Sequence, residues 1–241
     1  MIADGHQEKT YISSVLMIGQ SNMAGRGNIE DVPPIRDKRC FMLRNGRWQP
    51  MRDPINPDRP IFEGMYRSGV SLAGSFARDF AQHYDVNVGL IPCADGGTAL
   101  AQWMPGEILY DHAVCLTKLA QRSSKLQAII WHQGESDCSN DELVESYQQR
   151  FTEMITQLRK DLNAENVPVI LGQIHADIKE MYTGGRQTRL NQVFAQIAQS
   201  VPLCAVASAQ GLQLKPDGLH FNAESCREFG SRYFQKYLEI V

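Results

Sequence analysis

The chain has 241 residues, with 24 Lys and Arg against 27 Asp and Glu, a formal net charge of −3, and 43% apolar residues. Those proportions belong to a soluble globular protein; a disordered chain carries fewer apolar residues and more net charge, and a nucleic-acid binder needs a basic face for phosphates. The length suits one large α/β unit spanning residues 1–241.

In chain order, residues 11–18 read as a strand. Residues 27–69 follow as an irregular excursion rich in Pro, Arg and Asp, with a hairpin over 41–48 around Asn45-Gly46. A helix over 71–83 puts Leu72, Phe76 and Phe80 on one face, and a strand over 86–92 comes next. A helix over 109–119 carries Leu109, Leu116 and Leu119, and leads to a strand over 126–132. The helix over 141–162 aligns Leu143, Tyr147, Phe151, Ile155 and Leu158. A strand over 167–174, a helix over 189–199, a weaker strand over 203–207 and a helix over Ala223–Leu238 complete the series. Strands alternating with helices mean βαβ units, and strands apolar on both faces mean a mostly parallel sheet covered on both sides.

No stretch approaches the ~18 consecutive apolar residues of a membrane-spanning helix. The opening MIADGHQEKT is polar, and the apolar run over 15–18 is too short for a secretion signal, so the expected location is the cytoplasm. Six cysteines are scattered without a C-x-x-C pair, as reduced thiols would be.

In a parallel sheet the ligand site lies beyond the carboxyl ends of the strands. There the sequence places Gly19-Gln20-Ser21-Asn22-Met23, then Gly96-Gly97-Thr98, then His132-Gln133-Gly134-Glu135, and late in the chain Asp217-Gly218-Leu219-His220. Ser21, at a strand-to-helix turn, is either a nucleophile near oxyanion donors or an ordinary helix N-cap. It is not the G-x-S-x-G elbow, because Met23 takes the second glycine's place. Asp217 and His220, three residues apart, can fold back so that the carboxylate orients the imidazole as a general base; the bland alternative is an Asx turn. Gly97 offers a backbone N–H to an oxyanion or is simply a loop residue. Gln133 offers an amide to the same oxygen or is a buried polar residue bonded to backbone. Glu135 is a second carboxylate near His220, a loop organiser, or a solvated residue. His132, Glu135, Asp137, His175, Asp177 and His220 are candidate metal ligands, but no H-E-x-x-H or zinc-type cysteine spacing joins them, so no metal is expected. His6, His83 and His112 read as surface residues.

These blocks, in this order, resemble the SGNH hydrolases, and more narrowly the sialate O-acetylesterase and acetylxylan esterase branch, carbohydrate esterase family six. The resemblance covers the chain from about residue 15 to its end. It implies a three-layer α/β/α sandwich, whose sheet the five apolar runs make about five-stranded, and a serine esterase site without a cofactor. It further implies Ser21 as nucleophile, His220 as base, Asp217 as its orienting acid with Glu135 as the alternative, and an oxyanion hole from the Ser21 and Gly97 N–H groups and the Gln133 side chain. The implied substrate is an acetylated carbohydrate, imported or intracellular if no leader exists. Trp131 reads as core; Trp48 and Trp103 fall in loops, where each can stack on a sugar face or fill the fold.

Overall fold

The computed structural model describes residues 11–58, 61, 62, 64 and 67–241. The opening ten residues with His6, and part of the 27–69 excursion, lie outside the described residues. β1 (Ile12–Gly19) runs into the short helix α1 (Ser21–Ala24). A hairpin follows, β2 (Cys40–Arg44) and β3 (Arg47–Pro50), then α2 (Ala73–Tyr84) and β4 (Val88–Pro92). Next come α3 (Ile108–Ala120), β5 (Ser124–His132), α4 (Asp141–Glu145) and α5 (Tyr147–Asp161). The chain ends with β6 (Val169–Gly172), α6 (Glu180–Thr183), α7 (Gln187–Ser200), β7 (Cys204–Ala207) and α8 (Ala223–Leu238).

The sheet has seven strands in the order β3-β2-β4-β1-β5-β6-β7, against the five expected. The two extra strands are the hairpin. Its turn lies where Asn45-Gly46 predicts, with Asn45 and Gly46 both at positive φ. β2 pairs parallel to β4 from Cys40 opposite Val88, while β3 pairs antiparallel to β2 and forms the edge. The helix expected over 141–162 is two helices, broken at Ser146.

β1 shows why a central strand is apolar throughout. Leu16 and Ile18 face one layer, with Leu109, Phe151 and Phe194 from α3, α5 and α7. Val15 and Met17 face the other, with Phe76 of α2 and Phe229 and Tyr233 of α8. Every residue of that run is shielded, so alternation with polar residues is absent. The last helix starts cleanly because the Asn222 side chain accepts from the Ser225 N–H at 2.8 Å, a cap contributing about 1 kcal/mol.

The chain passes from β1 outward to β2 and β4, then returns to place β5, β6 and β7 on the other side of β1. That reversal splays the loops after β1, β4 and β5 and opens a crevice at their carboxyl ends. Five of the six cysteines are buried and all are free thiols. Burial pushes the Cys40, Cys138, Cys204 and Cys226 thiols up to about 12, which keeps them protonated and inert. Among the described residues no helix is long and apolar enough to cross a membrane.

Candidate active site

The turn that carries Ser21 is built on Gly19. Its φ is +130°, and a Cβ there would sit 2.1 Å from the His132 carbonyl oxygen, so only glycine lets the end of β1 lie against the end of β5. The Gln20 N–H then donates to that carbonyl at 2.9 Å, and the chain enters α1. Gln20, not Ser21, occupies the N-cap position, and no side chain caps this helix. The capping alternative for Ser21 is thereby set aside: its hydroxyl faces a histidine instead.

Ser21 Oγ lies 3.0 Å from His220 Nε2, and His220 Nδ1 lies 2.9 Å from Asp217 Oδ2. Because Asp217 accepts, Nδ1 carries the proton, and Nε2 presents its lone pair to the Ser21 hydroxyl. The loop holding this pair closes on itself. Leu214 and Phe221 form an antiparallel bridge, and the Lys215 N–H donates to His220 O at 2.7 Å. Asp217 Oδ1 accepts from the Leu219 and His220 N–H groups at 2.9 and 3.0 Å. Burial pushes the Asp217 carboxyl up, but the backbone and side-chain hydrogen bonds from His220 and the Leu219 N–H outweigh it and hold the carboxyl below its ordinary value. It therefore stays ionised wherever the imidazole needs orienting.

Glu135 makes no hydrogen bond to His220. Its Oε1 accepts from Asn22 Nδ2 at 2.7 Å and stands 3.5 Å from His132 Nε2. Burial raises its carboxyl, yet the His132 imidazole and the Asn22 amide together bring it below the usual range. Asn22 also donates to Leu219 O at 3.3 Å and accepts from the Phe221 N–H at 3.2 Å. Glu135 thus braces the Ser21 turn against the histidine loop, the organiser reading of that residue, while Asp217 is the carboxylate in contact with His220.

Gln133 departs from expectation. Its side chain is fully buried. Nε2 donates to Asp137 Oδ2 at 2.7 Å, with Thr98 O and Gln20 Oε1 at 3.0 and 3.2 Å. The Tyr147 hydroxyl donates to Oε1 at 2.7 Å. A carboxylate can only accept, so the amide nitrogen must face Asp137, and both of its hydrogens are committed inside the protein. The Gln133 amide is a structural node and not a free donor to an oxyanion.

Gln20 takes the position that sequence reasoning missed. Its Oε1 accepts from the Gly134 and Ser136 N–H groups, each at 3.4 Å, besides Gln133. The oxygen side of the amide is fixed by those donors, which leaves the NH₂ side without a partner among the described residues, on a residue that lines the pocket. The Ser21 and Gly97 N–H groups likewise make no hydrogen bond among the described residues. Gly97 sits at φ +75°, with nothing within 4 Å of where a Cβ would be. The adjacency of Gln20 to Ser21 was the available signal. Gln20→Ala is expected to lower kcat by about 10²–10³, beyond the stability it loses where its Oε1 no longer accepts from Gln133, Gly134 and Ser136. Gln133→Ala is expected to act through stability, by about 1–3 kcal/mol for each buried partner left unpaired. Steady-state kinetics beside urea unfolding separates the two.

The pocket over Ser21 holds about 230 Å³ and includes Gly96, Gly97, Leu219, Tyr182 and Arg26. A larger hollow, about 1010 Å³, lies at the opposite edge of the sheet around Ser124, Pro168 and Leu203. The Ser124 hydroxyl there bonds to Ser14 Oγ and Ala120 O, whereas the smaller pocket holds a serine hydroxyl bonded to an imidazole. Trp103 is 1% exposed, bonded to Thr98 Oγ1 and edge-on to Trp131, and Trp48 belongs to β3; neither reaches the pocket. Of the candidate metal ligands, both ring nitrogens of His175 are bonded, to Leu212 O and to the Asp177 N–H. Among the described residues no three His, Cys, Asp or Glu side chains gather to hold an ion.

Residues 12–239 match the family model described as carbohydrate esterase, sialic acid-specific acetylesterase. The chain is similar to a probable carbohydrate esterase of Arabidopsis thaliana, 31% identical over 92% of this chain and 89% of that one. The crystal structure of the Arabidopsis protein superposes with a TM-score of 0.82 at 28% identity, covering 94% of this chain and 98% of that chain. NanS superposes at 0.76 and 17% identity, covering 95% and 97% of the two chains, a likeness of fold alone. The same holds for a carbohydrate acetylesterase from Xanthomonas citri, at 0.67 and 17% identity over 95% of this chain and 56% of that chain. The resemblance read from the four sequence blocks, and the α/β/α sandwich with a mostly parallel sheet that it implied, are borne out.

Proposed function

The chain belongs to the carbohydrate esterase, sialic acid-specific acetylesterase family, and from that premise we propose that it is a serine esterase that removes O-acetyl groups from a carbohydrate. The observation that carries this reading is the chain of contacts Ser21 Oγ to His220 Nε2 at 3.0 Å and His220 Nδ1 to Asp217 at 2.9 Å, at the floor of a small pocket. His220 takes the Ser21 proton as Oγ attacks the acetyl carbonyl carbon. The carbonyl oxygen becomes an oxyanion facing the Ser21 and Gly97 N–H groups and the Gln20 amide. As the tetrahedral centre collapses, the C–O bond to the sugar breaks and His220 returns its proton to the departing sugar oxygen. Water, deprotonated by the same imidazole, then attacks the acetyl-enzyme and releases acetate and free Ser21.

Acetate release from O-acetylated sialic acid and from acetylated xylobiose tests the reading. Release at equal rates with and without chelator is the expected result. A folded protein that releases no acetate from either would favour a sugar-binding protein with an inert serine, and loss of activity with chelator would favour metal-assisted hydrolysis.

A further inference from the structure

A pocket of about 230 Å³ lies below the roughly 300–1,000 Å³ of clefts that engulf a whole small molecule. With its carbonyl carbon against Ser21 Oγ, an acetyl ester fills the floor, and its alcohol half must pass out through the mouth. Side chains at the rim therefore meet the leaving alcohol. Tyr182 is the one Phe, Tyr or Trp among the described residues lining this pocket.

Tyr182 is 36% exposed and its neighbour Met181 80%. Single exposed apolar side chains are ordinary on any surface. Tyr182 is different in its place, because it lines a pocket that also holds Ser21 and His220. The turn that carries it is tied to the histidine loop. The Lys179 N–H donates to Gly218 O at 3.0 Å, and Lys179 Nζ donates to Pro216 O at 3.1 Å. Behind it the Thr183 hydroxyl donates to Gln187 Oε1 at 2.7 Å. The phenol ring is thus held on a segment bonded to the loop that positions His220.

We propose that Tyr182 is the platform on which the sugar ring of the acetylated substrate rests, its ring meeting the apolar C–H face of a pyranose while the ester carbonyl reaches Ser21. This rests on the esterase reading above and deepens it. Neither Trp103 nor Trp48 lines the pocket, which leaves that role open, and an aromatic face at the mouth fills it without touching the reacting atoms. Tyr182 is accordingly a specificity-determining residue, and its loss acts on binding of the sugar more than on the chemical step.

The test compares an acetylated sugar (O-acetylated sialic acid and acetylated xylobiose are both assayed) with ethyl acetate, which has no ring to stack. In Tyr182→Ala, kcat/KM for the sugar ester relative to ethyl acetate is expected to fall roughly tenfold, through KM, and in Tyr182→Phe to return to the wild-type ratio. An unchanged ratio, or a kcat that falls equally for both esters, overturns the platform. Wild type that hydrolyses ethyl acetate and neither sugar ester overturns the carbohydrate reading and the platform with it. Wild type inert on all three overturns the esterase reading itself.

Discussion

Ser21→Ala is expected to lower kcat/KM for acetate esters by about 10⁴–10⁶-fold while leaving the unfolding midpoint close to wild type. The size follows from the mechanism: without Oγ there is no acyl-enzyme, and what remains is the contribution of the oxyanion donors and of binding. Stability is spared because the Ser21 side chain caps no helix, and its hydroxyl bonds to His220 Nε2. Initial rates with ethyl acetate, beside a urea titration, check both halves. A variant that keeps wild-type turnover would remove Ser21 from the chemistry.

Asp217→Asn is expected to cost about 10³–10⁴ in kcat, and Glu135→Gln less than about tenfold. An amide in place of the carboxylate can donate to His220 Nδ1, which favours the tautomer with its proton on Nε2, where it cannot accept from Ser21. At position 135 a glutamine oxygen can still accept from Asn22 Nδ2, so the brace between the Ser21 turn and the histidine loop survives. Stability carries a second signature. The Asp217 carboxyl is held below its unfolded value of about 3.9, so its ionised form favours the native state above that pH. The contribution is lost as pH falls through the lower native value. Wild type is therefore expected to exceed Asp217→Asn in stability near neutral pH and to converge on it in acid. Equal kinetic losses in the two variants would instead make Glu135 a partner in catalysis.

Much of this architecture is legible in the sequence because it follows from periodicity. Strands buried on both faces read as continuous apolar runs, as β1 does, and the helices between them show their stripes. The polar blocks after β1, β4 and β5 mark the carboxyl edge, and the structure brings Ser21, Gly97, Asp217 and His220 to it. What stayed hidden depends on pairing and direction. Whether a hairpin such as β2–β3 joins a sheet is settled by backbone hydrogen bonds to β4, which leave no mark on side-chain pattern. Gln20 and Gln133 are chemically identical, and only the fixed donors around Gln20 Oε1 and the carboxylate of Asp137 tell which amide points outward. Tyr182 lies in a short turn with no period at all, and Trp103 read as a loop residue because the 3-10 turn over Leu100–Trp103 that buries it is too short to show a stripe.

The claim on which the rest depends is that Ser21 is the atom acylated. Its most direct test is to treat the wild-type protein with an organophosphonate, digest it, and locate the adduct by mass spectrometry. The expected result is one adduct, on the peptide containing Ser21, with hydrolysis lost in step with labelling and no labelling of Ser21→Ala. Full hydrolytic activity in a protein that takes no label, or an adduct on another residue that tracks the loss of activity, would contradict the serine mechanism.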